Sequence, residues 1–251
     1  MSSKIKVAAV SYLNTAPFVY GLRHCDAANL IDLQLDYPAE CARKLLYNEV
    51  DVGLIPVFSI LDKPQYQIVS DYCIGANGLV RTVSLLSSGS FNEITTIYLD
   101  SHSQTSVNLI KILAKHYWKR EFEWKPLPTS ITPKHIKRSE AMLAIGDKVF
   151  AFEPHFSLNI DLAFEWQAFT GLPMVFAVWA SRGVLNEGVS KKLNQALAFG
   201  VENIAKSIGP YTNDRISQDD AFSYLTNNIS FLFDNKKREA LSLFWDYARK
   251  L

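Results

Sequence analysis

The sequence predicts an α/β protein made of two lobes with a cleft between them. Short apolar runs alternate with amphipathic segments in a β-α-β-α-β order within residues 5–56. A second α/β series begins near residue 94, and two runs of β-forming residues, 79–86 and 174–180, are long enough to cross between the units. Because strands joined by a helix run parallel, each unit is expected to form a sheet covered by helices.

The elements of the first unit are marked by apolar periodicity and by helix-capping residues. In chain order they are a strand at 5–10, a helix opened by Asn14, Thr15 and Pro17, a strand at 33–36, a helix from Pro38 to residue 48 and a strand at 52–56. Proline suits the first turn of a helix because that turn does not need its backbone N–H. These signals together predict a parallel arrangement of three strands.

The second unit and the C-terminal part show the same kinds of signal. They predict a strand at 94–99, a polar loop at 100–106, a helix at 107–118, a strand at 140–145, the strand at 174–180, and helices at 187–207, 218–228 and 234–250. Asn186 is the expected cap of the helix at 187–207, and Asp234 is the expected cap of the helix at 234–250. We therefore expect residues 1–90 and 178–251 to form lobe 1 and residues 91–177 to form lobe 2. Two strands form the hinge between the lobes, and ligands of open α/β sheets bind beyond the carboxyl ends of the strands.

Composition excludes several classes of partner. Apolar residues make up 48% of the 251 residues and charged residues 20%, which is typical of a globular protein with a substantial core. The 26 basic and 25 acidic residues give a net charge of +1, so no electrostatic argument favours nucleic acid or an anionic membrane. The expected partner is a small molecule, and any anion must be bound by local donors.

Cysteine usage and the absence of a long apolar run indicate the compartment. The chain has an odd number of cysteines, and no two of them form a CxxC pair, which favours free thiols in a reducing environment. They are Cys25, Cys41 and Cys73. The apolar run near the N-terminus is too short for a signal peptide, and no stretch of about 18 apolar residues is present to span a membrane. We expect a cytoplasmic protein.

Two loops share one physical design that suits an anion. Residues 11–15 and 100–106 each follow a predicted strand and open a helix, where free backbone N–H groups and the helix dipole favour negative charge. In a bilobal protein these loops would face each other and could hold a substrate with two carboxylates. The candidate side chains are Ser11, Tyr12, Asn14 and Thr15 in the first loop and Ser103, Thr105 and Ser106 in the second. The alternative is ordinary helix capping.

Four further residues are candidates at the same edge. Arg81 and Thr82 lie on the first crossing strand; Arg81 could pair with a carboxylate or could form a hinge salt bridge. Gly146 and Asp147 follow a strand, and Asp147 could accept from a substrate hydroxyl or could cap the next helix. Aromatic residues near these segments are expected in the core, although one or two could wall a pocket for a ring substrate. They are Tyr12, Trp166, Phe169, Phe176 and Trp179.

Several kinds of site have no support in the sequence. The five histidines and three cysteines are dispersed and show no metal-ligand spacing, so no metal site is predicted. The chain contains no GxGxxG, no Walker-type phosphate loop and no GxSxG elbow. The candidate chemistry is therefore limited to hydroxyls, amides, Arg81 and Asp147.

Several motifs in combination carry a resemblance to a known family. They are Ser11-Tyr12-Leu13-Asn14-Thr15-Ala16-Pro17-Phe18, Asp51-Val52-Gly53-Leu54-Ile55-Pro56, Val80-Arg81-Thr82-Val83, Leu99-Asp100-Ser101-His102-Ser103-Gln104-Thr105-Ser106, Ile145-Gly146-Asp147 and Val175-Phe176-Ala177-Val178-Trp179. Over about residues 5–182 the chain resembles the chorismate dehydratases of the futalosine route to menaquinone. Thr82 stands where the family more often has Ser, which keeps the hydroxyl, and residues 159–164 depart from the family's Tyr-Asp-Leu-Gly pattern.

The resemblance implies a type II periplasmic-binding-protein fold used as an enzyme, a lyase without a cofactor. Its reaction would remove water from chorismate to give 3-[(1-carboxyvinyl)oxy]benzoate. Asn14, Ser11 and Thr82 are the expected catalytic residues. The expected substrate-binding residues are Tyr12, Thr15, Arg81, Ser103, Thr105, Ser106, Gly146 and Asp147. Two alternatives stay open: a non-catalytic cytoplasmic binding or sensor protein for an aromatic carboxylate, and the sister enzyme 1,4-dihydroxy-6-naphthoate synthase, whose opening motif differs.

Overall fold

The computed structural model describes residues 4–26, 28–100, 102–128, 131–214 and 216–251. Its strands are β1 (Ile5–Val10), β2 (Ile31–Asp36), β3 (Val52–Pro56), β4 (Tyr66–Ala76), β5 (Val83–Ser87), β6 (Thr96–Leu99), β7 (Glu123–Pro126), β8 (Glu140–Ile145), β9 (Leu158–Asp161), β10 (Met174–Arg182) and β11 (Ser230–Leu232). Its α-helices are α1 (Ala16–His24), α2 (Pro38–Leu46), α3 (Gln104–Ile112), α4 (Lys148–Phe152), α5 (Leu162–Thr170), α6 (Glu187–Glu202), α7 (Ile204–Ser207), α8 (Gln218–Asn227) and α9 (Asn235–Ala248). Ser101 of the predicted polar loop lies outside the described residues.

The strands form two mixed sheets, one for each lobe. The first sheet has the order β11-β4-β10-β3-β1-β2, and the second has the order β7-β6-β8-β5-β9. In the first sheet β1 runs parallel to both β2 and β3, and in the second β6 runs parallel to β7 and β8. The predicted two-lobed α/β fold, and the parallel β-α-β-α-β start of the chain, are therefore confirmed.

The chain crosses between the lobes at two short segments, 77–82 and 171–173. Strand β5 pairs with β8 and β9 in the second sheet, although it falls in the run predicted to cross. Strand β10 pairs with β3 and β4 along its length, so all of it belongs to the first sheet. Both crossings therefore lie before the boundaries expected at residues 90 and 177. The reason is that β5 and β10 are each buried inside a single sheet and do not span the space between the lobes.

Helix ends follow local chemistry. Asn186 accepts a hydrogen bond from the Gly188 N–H, and Asp234 accepts one from the Lys237 N–H, each at 2.9 Å, so both predicted caps are confirmed. The helix predicted at 107–118 begins earlier, at Gln104, and continues after α3 as a π-helix, Leu113–Trp118. The helix predicted at 187–207 is interrupted at Asn203, between α6 and α7. No helix in the part of the chain that the structure describes is long and apolar enough to cross a membrane.

Helices α1 and α6 approach each other at two glycines. A Cβ atom placed on Gly21 would lie 1.9 Å from the Ala196 carbonyl oxygen, and one on Gly200 would lie 1.9 Å from the Pro17 carbonyl oxygen. Only glycine permits this distance between the two backbones. The contact fixes α1, and with it the loop that precedes α1, against the C-terminal part of the chain.

We predict that Gly200→Ala lowers the free energy of unfolding by about 2–3 kcal/mol, because the helices must move apart to admit the methyl group. Urea denaturation followed by circular dichroism measures the change. The matched control is Gly209→Ala, where a Cβ would meet nothing within 4 Å. The control is expected to stay within about 0.5 kcal/mol of the wild type. Equal stability of the two variants would contradict the close packing.

Candidate functional site

A cavity of about 50 Å³ lies between the lobes at the carboxyl ends of their parallel strands. It is lined by Val10, Tyr12, Asn14, Thr15, Pro38, Pro56, Ile74, Val80, Thr82, Val83, Ser103, Ser106, Ile145, Gly146, Phe176 and Ala177. The loops after β1, β3, β6 and β8 all contribute, because parallel strands bring their carboxyl ends to one edge. The walls are mostly apolar, and the hydroxyls and the amide are grouped at a few points. This combination is typical of a small-molecule site.

The first loop contributes a fixed amide and a hydroxyl. It forms a 3-10 turn, Leu13–Thr15, that leads directly into α1. The Thr15 hydroxyl donates a hydrogen bond to the Asn14 side-chain oxygen at 3.0 Å, and both residues line the cavity. Neither makes a side-chain helix cap. The side chains of Asn14 and Thr15 therefore line the cavity and do not cap the helix.

The second loop is held by a buried carboxylate. Asp100 is 3% exposed; it pairs with Lys148 and accepts a hydrogen bond from the His102 N–H at 3.0 Å. At the start of α3 the Ser103 hydroxyl accepts from the Ser106 N–H at 3.4 Å and from the Ser106 hydroxyl at 3.1 Å. Both serines also line the cavity. Ser103 therefore both caps α3 and lines the cavity.

Thr82 reaches the cavity from the crossing segment 77–82. Its backbone N–H donates to the Val80 carbonyl at 2.8 Å, and its own carbonyl accepts the Gly146 N–H at 2.8 Å. Its hydroxyl lies 2.7 Å from the hydroxyl of Tyr224 on α8. Thr82 is 1% exposed. The hydrogen bonds just described fix both its backbone and its side chain.

Asp147 links the two lobes beside the cavity. Its carboxylate oxygens accept the backbone N–H of Leu13, in the first loop, at 3.0 and 3.1 Å. Asp147 occupies the position before α4 but makes no side-chain cap there. Burial raises the pKa of Asp147 to about 6, and the hydrogen bond from Leu13 opposes that shift. The same interface packs the Tyr12 ring against Gly146, whose φ of 75° and lack of a side chain make room for it.

Besides Asp147, three candidate residues lie outside the lining of the cavity. Ser11 is exposed, on the outer side of the loop. The Thr105 hydroxyl is fully buried and accepts the Phe58 N–H at 3.2 Å. The Arg81 guanidinium pairs with Glu153 at 2.9 Å and lies 4.7 Å from the centroid of the Phe150 ring, so it forms the hinge salt bridge given as its alternative role.

The aromatic candidates divide between core and cavity. Tyr12 and Phe176 line the cavity, whereas Trp166 and Trp179 are fully buried in the core. Burial and the nearby carboxylates of Asp100 and Asp147 raise the pKa of Tyr12, so its hydroxyl stays protonated.

Tyr224 is the polar residue that sequence reasoning missed. It is 1% exposed, and its hydroxyl lies 2.7 Å from the hydroxyl of Thr82. Burial raises the pKa of Tyr224, and interactions with Thr82 and Asn14 oppose that shift. Its helix was predicted, and its spacing from Ala221 and Leu225 places it on the buried face of α8. No local pattern distinguishes such a tyrosine from an ordinary core residue.

The side chains that line the cavity are neutral, and the carboxylates of Asp100 and Asp147 act on Tyr12 in its wall. None of the described residues that line it is basic, so an anion bound there would meet hydroxyls, an amide and backbone N–H groups at helix starts. Its volume is below the roughly 300–1,000 Å³ of pockets that hold drug-sized ligands. A ring compound does not fit a cavity of this volume, so its binding requires the cavity to enlarge.

Known structures define the class of fold. A crystal structure of a protein from Archaeoglobus fulgidus matches with a TM-score of 0.80 at 17% identity, covering 99% of this chain and 98% of that one. A Candida albicans protein described as having the generic periplasmic binding protein fold matches with a TM-score of 0.67 at 13% identity, over 99% and 90%. The periplasmic aliphatic sulphonate binding protein of Escherichia coli matches with a TM-score of 0.59 at 11% identity, over 98% and 93%. The fold is that of the periplasmic binding proteins, with a small-molecule cavity between the lobes.

Sequence comparison then gives the family. Residues 5–250 match the profile of a family described as menaquinone biosynthesis. A chorismate dehydratase of Thermus thermophilus is 30% identical over 186 residues, which cover 68% of this chain and 67% of that protein. The chain belongs to the menaquinone biosynthesis family, as the sequence motifs indicated.

The raised pKa of Asp147 predicts a pH-dependent stability. Folding moves this pKa from 3.8 to about 6, so the folded protein holds the proton more tightly than the unfolded chain. The resulting stabilisation is full below about pH 4 and is lost as the pH rises through about 6. Relative to Asp147→Asn, the wild type should lose about 2–3 kcal/mol of unfolding free energy between pH 4 and pH 7.

Urea unfolding of both proteins at pH 4, 5, 6 and 7 measures this difference. Other titrating groups are common to the two proteins and cancel, and asparagine keeps an oxygen that can accept the Leu13 N–H. A difference that stays constant across the four pH values would show that Asp147 is not the titrating group.

Proposed function

We propose that this protein is a chorismate dehydratase, which removes water from chorismate to give 3-[(1-carboxyvinyl)oxy]benzoate. The observation that carries the proposal is the cavity itself, whose mostly apolar lining includes the polar side chains of Asn14, Thr82, Ser103 and Ser106. Membership of the family and the Thermus thermophilus relative, itself named chorismate dehydratase, support the choice of reaction.

The chemistry of the residues that line the cavity suits the substrate. Chorismate has a six-membered ring, a ring carboxylate, an enolpyruvyl carboxylate and a hydroxyl at C4. Ile74, Val80 and Phe176 offer apolar surface to the ring. The first loop supplies Asn14 and Thr15, and the start of α3 supplies Ser103 and Ser106, so we assign one carboxylate to each group. Neutral donors suffice for binding because, in a closed site with little water, hydrogen bonds to a carboxylate are strong.

The proposed reaction is an elimination in which the atoms lost are those of one water molecule. The C3–H bond breaks first, and its electron pair is delocalised through the ring onto the ring carboxylate. The C4–O bond then breaks, and the ring becomes aromatic. No oxidant or reductant is consumed. The protein has to orient the substrate and stabilise the negative charge that grows on the ring carboxylate, which are effects of positioning and preorganised hydrogen bonds.

Asn14 and Thr82 are assigned the central roles in this proposal. The Asn14 oxygen already accepts from Thr15, which leaves the amide nitrogen as a donor. It would bind the ring carboxylate or orient the enolpyruvyl carboxylate, which takes the C3 proton. Thr82, Ser103 and Ser106 would donate to the carboxylates. Asp147 has a pKa of about 6. The protonated fraction of this carboxyl could donate a proton to the departing hydroxyl.

We predict that Asn14→Ala folds normally and loses turnover of chorismate by about 100-fold or more, since one preorganised donor is removed. Asn14→Asp should be at least as impaired, because it places a negative charge beside an anionic substrate. The assay follows the aromatic product by chromatography. The matched control is Asn108→Ala, whose amide donates to the Gln104 carbonyl on α3 and does not line the cavity.

The outcomes separate the proposed function from its rivals. Product formed by the wild type but not by Asn14→Ala supports the dehydratase and its central residue. Binding of chorismate without product would favour a sensor or binding protein. Neither binding nor turnover would favour the sister enzyme or another ligand. Near-normal turnover by Asn14→Ala would refute the mechanism and leave the reaction standing.

A second prediction tests the hydroxyl of Thr82. Thr82→Ser keeps the hydroxyl and should remain within a few-fold of the wild type, whereas Thr82→Val removes it at nearly constant volume. Loss of this donor should lower kcat by roughly 100-fold. Steady-state kinetics on both variants provide the comparison. Equal activity of the valine and serine variants would remove Thr82 from the mechanism.

A further inference from the structure

Tyr224 lies behind the cavity wall, not on it. It belongs to α8, outside the segments that carry the sequence motifs, and it is 1% exposed. Its ring packs edge-on against Phe150 of lobe 2, with centroids 5.3 Å apart and planes at 90°. Rotation of the ring is therefore restricted, and its hydroxyl is directed to one place.

That hydroxyl joins two segments that approach the cavity from different parts of the chain. It lies 2.7 Å from the Thr82 hydroxyl, on the crossing segment, and it interacts with the side chain of Asn14, in the first loop, which together with Thr82 opposes the rise in its pKa. Asn14 and Thr82 line the cavity, whereas Tyr224 does not. The phenol thus connects the two side chains to which the proposed function assigns the central roles.

A hydrogen bond also restrains the Asn14 amide. Its oxygen accepts from the Thr15 hydroxyl at 3.0 Å, so its nitrogen remains available as a donor. Without the phenol, nothing else among the described contacts of Asn14 would hold the nitrogen side.

We propose that Tyr224 is a positioning residue of the interlobe site, holding the Asn14 amide and the Thr82 hydroxyl in one fixed arrangement through its own hydroxyl. This inference rests on the proposed dehydratase function and extends its site to the C-terminal helices. Burial holds the pKa of Tyr224 far above its ordinary value, so the phenol stays neutral and acts through hydrogen bonds rather than as a base. Misplacement of a reacting group by a fraction of an ångström is enough to slow catalysis strongly.

The test is Tyr224→Phe, which keeps the ring and removes the hydroxyl. We expect kcat for chorismate to fall about 10- to 100-fold while KM changes less than about threefold, because the substrate still binds but Asn14 and Thr82 are no longer aligned. The matched control is Tyr98→Phe, which removes a hydroxyl that donates to Glu140 at 3.3 Å on the second sheet. It should leave both constants unchanged.

A mutant cycle separates positioning from a general loss of stability. If Tyr224 acts through Asn14 and Thr82, then Tyr224→Phe in a background that carries both Asn14→Ala and Thr82→Val causes no further loss of kcat. Additive losses, or an unchanged kcat in Tyr224→Phe, would overturn the proposal. A wild type that does not turn over chorismate would instead refute the proposed function, so the two failures are distinguishable.

A second measurement does not depend on the folding of Tyr224→Phe. A 3-fluorotyrosine introduced at position 224 keeps the hydroxyl and reports on its surroundings by fluorine NMR. Its resonance should shift when Asn14 is replaced by Ala, and it should stay in place when Asn108 is replaced by Ala. A resonance that does not respond to Asn14→Ala would contradict the contact on which the proposal stands.

Discussion

A single buried carboxylate, Asp161, holds the segment on which the site depends. It accepts the N–H of Arg81 at 2.5 Å and, at the start of α5, the N–H groups of Ala163 at 2.9 Å and Phe164 at 3.1 Å. Arg81 has a φ of 64°, a left-handed conformation that costs roughly 1–2 kcal/mol in a residue with a side chain. The hydrogen bond from Arg81 helps to offset that strain. The turn it stabilises delivers Thr82, the next residue, to the cavity.

Neutral donors held in fixed positions explain how a binding-protein fold can serve chemistry without charged side chains on its cavity wall. With the lobes joined through Leu13 and Asp147 in a closed state, the polar side chains of Asn14, Thr82, Ser103 and Ser106 share one mostly apolar cavity of about 50 Å³, which has room for little water. In such surroundings neutral donors fixed by packing are strong, and they cost nothing to reorient when charge develops. Asp147, which joins the lobes through Leu13, makes that closed state responsive to pH.

Local patterns predicted most of the secondary structure that positions the site. Strands β1, β3 and β8 fall where apolar runs placed them, and both side-chain caps, Asn186 and Asp234, act as expected. Strands β4, β7, β9 and β11 were missed. The last three have four residues or fewer, and in β4 polar residues interrupt the apolar run. Strand β5 was taken for a crossing because a buried strand and a spanning one have the same composition. Burial within one sheet is a property of pairing partners, which composition does not encode.

The sequence by itself determined the fold class, the two strand-to-loop-to-helix segments and the family, since these rest on periodicity, capping chemistry and motifs that are local in the chain. Only the tertiary structure decided which polar residues share the cavity. It placed Thr15, Ser103 and Thr82 there, left Ser11 and Arg81 outside, and added Tyr224 from the C-terminal helices behind the wall. The physical reason is that hydrogen bonds between distant segments, such as that between Tyr224 and Thr82, depend on chain packing across 142 residues, for which no local pattern exists.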